Sequence, residues 1–124
     1  MIVRQNGTEE EVVILLTTFS DFDSASQFGT RVIESQLAAC VNFLPGVTSM
    51  YRWNDAIQVD SEVLLILKTT RAASIALERF LQEFHPYEVP EVLLLSPESG
   101  SEKYLAWVAA AMNPSETAVD KTGS

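Results

Sequence analysis

The chain has 124 residues, 47% hydrophobic and 20% charged, which predicts one globular domain around a single core. Its formal net charge is −9; such a surface repels phosphate backbones and argues against a nucleic-acid partner. No apolar run approaches the roughly 20 residues of a membrane helix, the first residues carry no apolar signal core, and the one cysteine, Cys40, excludes an internal disulfide; together these predict a cytoplasmic protein with no membrane partner.

Residues 1–10 are polar and predict a loose arm. Residues 11–19, EVVILLTTF, are β-branched and apolar, too few for a typical helix, and predict a buried strand. Ser24 with Gln27 three positions on matches a capping box, so a helix is expected to start there. Ala25, Phe28, Val32, Ile33 and Leu37 follow at helical spacing as one apolar stripe. Residues 40–53, CVNFLPGVTSMYRW, read as a strand interrupted at Pro45-Gly46, where a bulge or an edge position is expected because proline cannot donate a ladder hydrogen bond. Asn54-Asp55 is turn chemistry, and residues 57–69 return as the second arm of a hairpin.

Thr70 is the expected N-cap of a second helix whose inner face is Ala73, Leu77, Phe80, Leu81 and Phe84. That helix should stop at Phe84, because His85 precedes Pro86 and a residue before proline disfavours the α region. Residues 89–96 predict a fourth strand. Ser99 with Glu102 forms a second capping-box pattern, leading into a last helix with Tyr104, Leu105, Val108 and Met112 on one side. Residues 113–124 lack periodicity and predict a disordered tail. The domain therefore spans residues 11–112. The order β-α-β-β-α-β plus a C-terminal helix predicts an α+β, ferredoxin-like sandwich: a four-stranded antiparallel sheet with both long helices on one face and a long central hairpin.

Both hairpin arms exceed the usual five or six residues of a strand. Two helices cannot cover Val47, Met50, Tyr51, Trp53, Ile57 and Val59, and an exposed apolar ribbon with open edges invites another chain. A homo-oligomer is the expectation; the alternative is a strongly twisted hairpin curling back over the open sheet face.

Catalytic signatures are missing. There is no GxGxxG, Walker or GxSxG motif, and one Cys and one His cannot make a zinc set. The single histidine stands in HPYEVPE, residues 85–91. His85 with Glu88, Glu91 or a partner chain's carboxylate is one reading, a weak ion site; a ring bonded to backbone at a helix-to-strand corner is the other. Cys40 among apolar neighbours reads as a small buried hydrophobe. Lys68 is either a solvated strand-end charge or a partner of Glu88 or Glu91 in a cleft. Tyr51, Trp53, Tyr87, Tyr104 and Trp107 are divided between interface packing and a ligand cage.

These stretches together resemble one family. LAACVNFLPGVTSMYRW (37–53), SEVLLILKTT (61–70), HPYEVPE (85–91) and YLAW (104–107) are similar, in order and spacing, to the CutA divalent-cation tolerance proteins. The resemblance implies a ferredoxin-like subunit in a stable homotrimer, long hairpins packed around the threefold axis, and a link to copper and other divalent ions without enzymatic activity. The architecture also resembles the PII signalling proteins, which bind small ligands in clefts between subunits. Members with a copper-binding pattern carry a Cys where this chain has Leu16 and a second His where it has Phe84, so His85 alone matches as a metal ligand. Tyr51, Trp53, Lys68, Tyr87, Glu88, Glu91 and Trp107 are the motif residues expected to line a ligand cleft. The expectation is a non-enzymatic, cytoplasmic homotrimer that responds to metal ions, binds copper(II) or another divalent cation weakly and needs no obligatory cofactor. A PII-like sensor of a small ligand near Lys68 is the alternative, and a purely structural or adaptor trimer the third reading.

Overall fold

A computed structural model describes residues 1–113; the tail expected over 113–124 lies outside the described residues except for Asn113. The β-branched run at the start of the domain becomes β2 (Val12–Phe19), the strand that organises the sheet. On one side it pairs with β4 (Ala56–Thr70) from Val12↔Thr70 to Phe19↔Val63, and on the other with β5 (Leu93–Leu95). β3 (Cys40–Trp53) lies along the outer side of β4. The order β3-β4-β2-β5, antiparallel throughout, is the ferredoxin-like sheet expected.

Period-two alternation sends Leu15, Phe19, Val63, Leu65 and Leu67 to one face. There they meet Ala25, Phe28 and Val32 of α1 (Phe22–Glu34) and Leu77 and Leu81 of α2 (Arg71–Phe84). Most of these side chains have no exposed surface, and each large one contributes about 1.5–3 kcal/mol on burial. The alternate residues Ile14, Leu16, Leu64 and Ile66 point to the other face and are half-buried. Helix α2 starts and stops where expected: the Thr70 side chain accepts from Ala73 N, and His85 is already extended.

Several boundaries differ, each for a local reason. Helix α1 starts at Phe22, capped by Asp21 rather than Ser24. The Asp21 carboxylate accepts from Ser24 N at 2.7 Å and from Ser24 Oγ at 3.2 Å, and its charge favours the helix N-terminus in a way a hydroxyl does not. Ile33, expected on the inner stripe, is 42% exposed. The fourth strand shrinks to Leu93–Leu95, because Pro90 has no N–H to give and residues 85–92 form the corner before it.

The N-terminal residues are not a loose arm. β1 (Ile2–Arg4) pairs antiparallel with β6 (Ser99–Ser101) in a separate two-stranded sheet. That pairing takes Ser99 into a strand, so α3 (Glu102–Met112) is capped by Ser101 instead. Gln5 fastens the arm further: its amide accepts from Val12 N at 2.7 Å and donates to Val12 O and Pro97 O, both at 2.9 Å.

The hairpin keeps its expected irregularities. The register of β3 on β4 shifts between Leu44 and Val47, at Pro45-Gly46, with Gly46 at φ 77°. Its tip turns through Asn54 at φ 50° and Asp55 at φ 63°. Two left-handed residues in succession are the signature of the tight turn whose twist matches the strands, and Asn and Asp tolerate it best after glycine.

Candidate functional site

The two-residue tip fixes the distal register as Trp53↔Ala56, Tyr51↔Gln58, Ser49↔Asp60 and Val47↔Glu62. Directly opposed residues share a face, so Tyr51 and Trp53 stand with Asp60 and Glu62. The Tyr51 hydroxyl donates to the Asp60 carboxylate, and that bond raises the phenol above its ordinary value. The opposite wall comes from the segment after α2. Tyr87 Oη donates to Glu62 Oε2 at 2.8 Å; burial first, and then Glu62, push its phenol far above the usual range. Glu88, Val89 and Glu91 complete that wall, and Thr18 and Ser20 close the end of β2. The result is an open cleft of about 820 Å³.

His85 sits behind this wall, 7% exposed, and holds the corner. Its Nδ1 lies 3.1 Å from Tyr87 N, and its Nε2 lies 2.6 Å from Thr18 O. A backbone N–H can only donate and a carbonyl can only accept. Nδ1 is therefore the acceptor, and the ring proton is on Nε2. The imidazole stacks on Phe19, centroids 4.3 Å apart. Loss of solvent lowers its pKa from the ordinary 6.5, against opposing contributions from the Thr18 carbonyl and the Glu62 charge.

This arrangement does not fit a metal centre built on His85. Both ring nitrogens are engaged, so an ion would have to displace a buried hydrogen bond. Among the described residues no three His, Cys, Asp or Glu side chains come together to hold a metal. Leu16, at the position of the copper-pattern Cys, is paired between Ile66 and Leu93. Phe84, at the position of the second His, packs on Phe19, Phe28 and Phe80.

Of the residues expected to line a cleft, Tyr51, Trp53, Tyr87, Glu88 and Glu91 come together, and Lys68 and Trp107 do not. Lys68 lies six positions beyond Glu62 along β4, roughly 20 Å at the rise of a strand. Its ammonium donates to Asn42, not to Glu88 or Glu91. Trp107 is on α3, its ring stacked on Tyr104 at 6.0 Å. Cys40 is half-buried and faces Lys68 in register. Among the lining residues missed were Asp60, Glu62, Thr18 and Ser20. Counting back from Asn54-Asp55 would have found the two carboxylates, because a two-residue turn fixes which residues of the arms oppose one another. Thr18 and Ser20 enter only through the fold.

The sequence matches the family model described as CutA1 divalent ion tolerance protein over residues 13–111. A divalent-cation tolerance protein CutA from Thermus thermophilus is 41% identical, over 79% of this chain and 94% of its own length. Protein CutA from Mus musculus is 46% identical over 68% of this chain. This chain spans about half the length of the mouse and human relatives, 48% and 47%. Among solved structures, CutA from Synechococcus elongatus superposes with a TM-score of 0.83 at 35% identity, covering 90% of this chain and 96% of that one. With its ferredoxin-like sheet and a match across nearly the whole described domain, the chain belongs to the CutA1 divalent ion tolerance protein family.

Proposed function

We propose that the chain serves divalent-cation tolerance as a non-enzymatic homotrimer that draws divalent ions such as copper(II) weakly to the carboxylates of the hairpin cleft. The observation that carries this reading is that Asp60, Glu62, Glu88 and Glu91 all line one open cleft, spread along its walls rather than gathered into a chelating set, in a chain of net charge −9. Carboxylate oxygens without imidazole or thiolate partners suit exchangeable rather than selective ion binding. The engagement of both His85 nitrogens favours ion attraction at the cleft over chelation at the corner. The trimer is supported by Met50, Ile57 and Val59, 71%, 66% and 55% exposed on the hairpin, and by Leu93 and Leu95 on the open edge strand β5. Apolar surface of this extent on an open-edged sheet is what a second chain covers.

Titration calorimetry with copper(II) tests the site. Weak binding is expected in the wild type and in His85→Asn, which keeps an acceptor for the Tyr87 amide but removes the imidazole. At least tenfold weaker binding is expected in the double variant Glu62→Gln/Glu91→Gln. Loss in His85→Asn with retention in the double variant would move the site to the imidazole.

A second reading is a PII-like sensor of a small ligand in a cleft between subunits. It is favoured by a relative: the Synechococcus elongatus CutA has been solved complexed with a Bis-Tris molecule. A thermal-shift screen separates the readings, since a ligand of the folded state raises the melting temperature. A shift with divalent ions alone supports the first reading and a shift with a metabolite the second. No shift with either leaves the structural or adaptor trimer.

A further inference from the structure

The hydrogen bonds of His85 have a chemical consequence for the cleft, whatever the cleft binds. Nε2 already carries its proton and gives it to Thr18 O. A second proton can only go to Nδ1, and that lone pair is taken by the Tyr87 amide at 3.1 Å. Once protonated, Nδ1–H and the Tyr87 N–H would point at each other. Two donors cannot share that space, so the contact must open. Tyr87 is held at three points: its amide on Nδ1, its ring edge-on to the imidazole at 4.5 Å, and its hydroxyl on Glu62 at 2.8 Å. Displacing the first point displaces the others.

We propose that His85 is a proton-operated latch: neutral, it holds Tyr87 against Glu62 and keeps the cleft wall in place; protonated at Nδ1, it expels the Tyr87 amide and releases the Tyr87–Glu62 clasp.

The surroundings favour a switch with two distinct positions. From β4, Glu62 attracts an imidazolium, and it becomes available to one as the phenol leaves. From β2 the ring meets only the Thr18 carbonyl and the Phe19 ring. From α2 come Phe84 and the Leu81 carbonyl, which takes the His85 backbone amide. From α1, the guanidinium carbon of Arg31 lies 5.9 Å from the centre of the Phe84 ring. Burial lowers the imidazole pKa, so the latch is closed at neutral pH and opens only below the ordinary imidazole range. The sign of the linked stability follows. An unfolded chain would take up the proton first, so this contribution is complete above the unfolded value of 6.5 and is lost as pH falls through the lower folded value.

The chain has one histidine, so its ring resonances need no disentangling. An NMR titration of the full, metal-free chain from about pH 8 to about pH 5 spans the imidazole range. His85 is expected to titrate with a midpoint below 6.5, with the Tyr87 amide and the Glu62 side-chain carboxyl following the same midpoint. In Tyr87→Phe the ring and the amide at position 87 still titrate together, and the Glu62 response shrinks to what the imidazolium charge alone produces. In His85→Asn the whole transition disappears. The latch is overturned if His85 titrates while the Tyr87 amide and Glu62 stay still, if His85 remains neutral until the chain unfolds, or if the transition survives in His85→Asn. Because no metal is present, failure here leaves the calorimetric test of the cleft untouched.

Discussion

A methyl group at position 29 has no room. A Cβ added to Gly29 of α1 would lie 2.6 Å from Cζ of Phe43, and Phe43 is itself tilted against Phe22 with ring centroids 5.5 Å apart. Two effects compete in Gly29→Ala. Alanine favours the helix by about 1 kcal/mol, and overpacking costs about 1–3 kcal/mol. With Phe43 held between the helix and Phe22, the steric cost should win, leaving a net loss of about 1 kcal/mol, a few degrees in Tm for a domain of this size. Thermal unfolding checks it, and the sign should reverse in a Phe43→Leu background, where the ring is gone. Nothing in FGTRV announces this close approach. A glycine in a helical stretch reads as a weakness until the strand that crosses it is known. His85 was more legible. That a lone histidine before proline would turn a corner followed from the backbone restriction, whereas which nitrogen would face which partner required Thr18, 67 residues away.

At the scale of elements, Glu11 does more than begin a strand. The residue is 6% exposed, and its carboxylate ties three other parts of the chain to the entrance of β2: the Gly7 amide at 2.5 Å, Arg71 at the start of α2 at 2.6 Å, and the Ser96 hydroxyl beyond β5. The Ser96 and Arg71 bonds, in that order, hold its pKa below the usual carboxylate value, with burial opposing them. A lowered carboxylate contributes stability that is complete above the unfolded pKa and is lost as pH falls through the folded one. Glu11→Gln should therefore be less stable than wild type at neutral pH. The gap should close as the pH drops through the carboxylate range, which urea unfolding at neutral and acid pH will read. No local pattern marks this cluster, because its partners lie 60 and 85 positions away in sequence. Elements with short-range signals were legible: the Thr70 cap, the proline stop of α2, the bulge at Pro45-Gly46 and the Asn54-Asp55 tip. β1 and β6 were not, since IVR and SGS are too short and too polar to carry a periodicity.

At the scale of the molecule, the sheet order was within reach of the sequence because the alternating strands and two amphipathic helices admit few right-handed connections. The cleft was half within reach: its aromatic residues stood out in motifs, while its carboxylates looked like ordinary surface charge in an acidic chain. The proposed trimer places the heaviest demand on the hairpin. Ile57→Asp would place a charge on the exposed apolar face it shares with Met50 and Val59, and the assembly should dissociate at low concentration. Analytical ultracentrifugation should then show a mass falling from three times 13.7 kDa towards one; a variant that stays fully trimeric would count against the hairpin as interface. The bulge in that hairpin decides more than curvature. Before it, odd residues of β3 oppose odd residues of β4, as Phe43 opposes Leu65; after it, odd opposes even, as Val47 opposes Glu62. The additional residue at Pro45-Gly46 thus inverts the parity of the ribbon. Without it, Tyr51 and Trp53 would share a face with Ile57 and Val59, and Asp60 and Glu62 would go with Met50. An insertion or deletion of two residues there would only slide the arms, but a change of one would exchange the two faces, and the chain would still have its aromatics and its carboxylates, on opposite sides of the same strand pair.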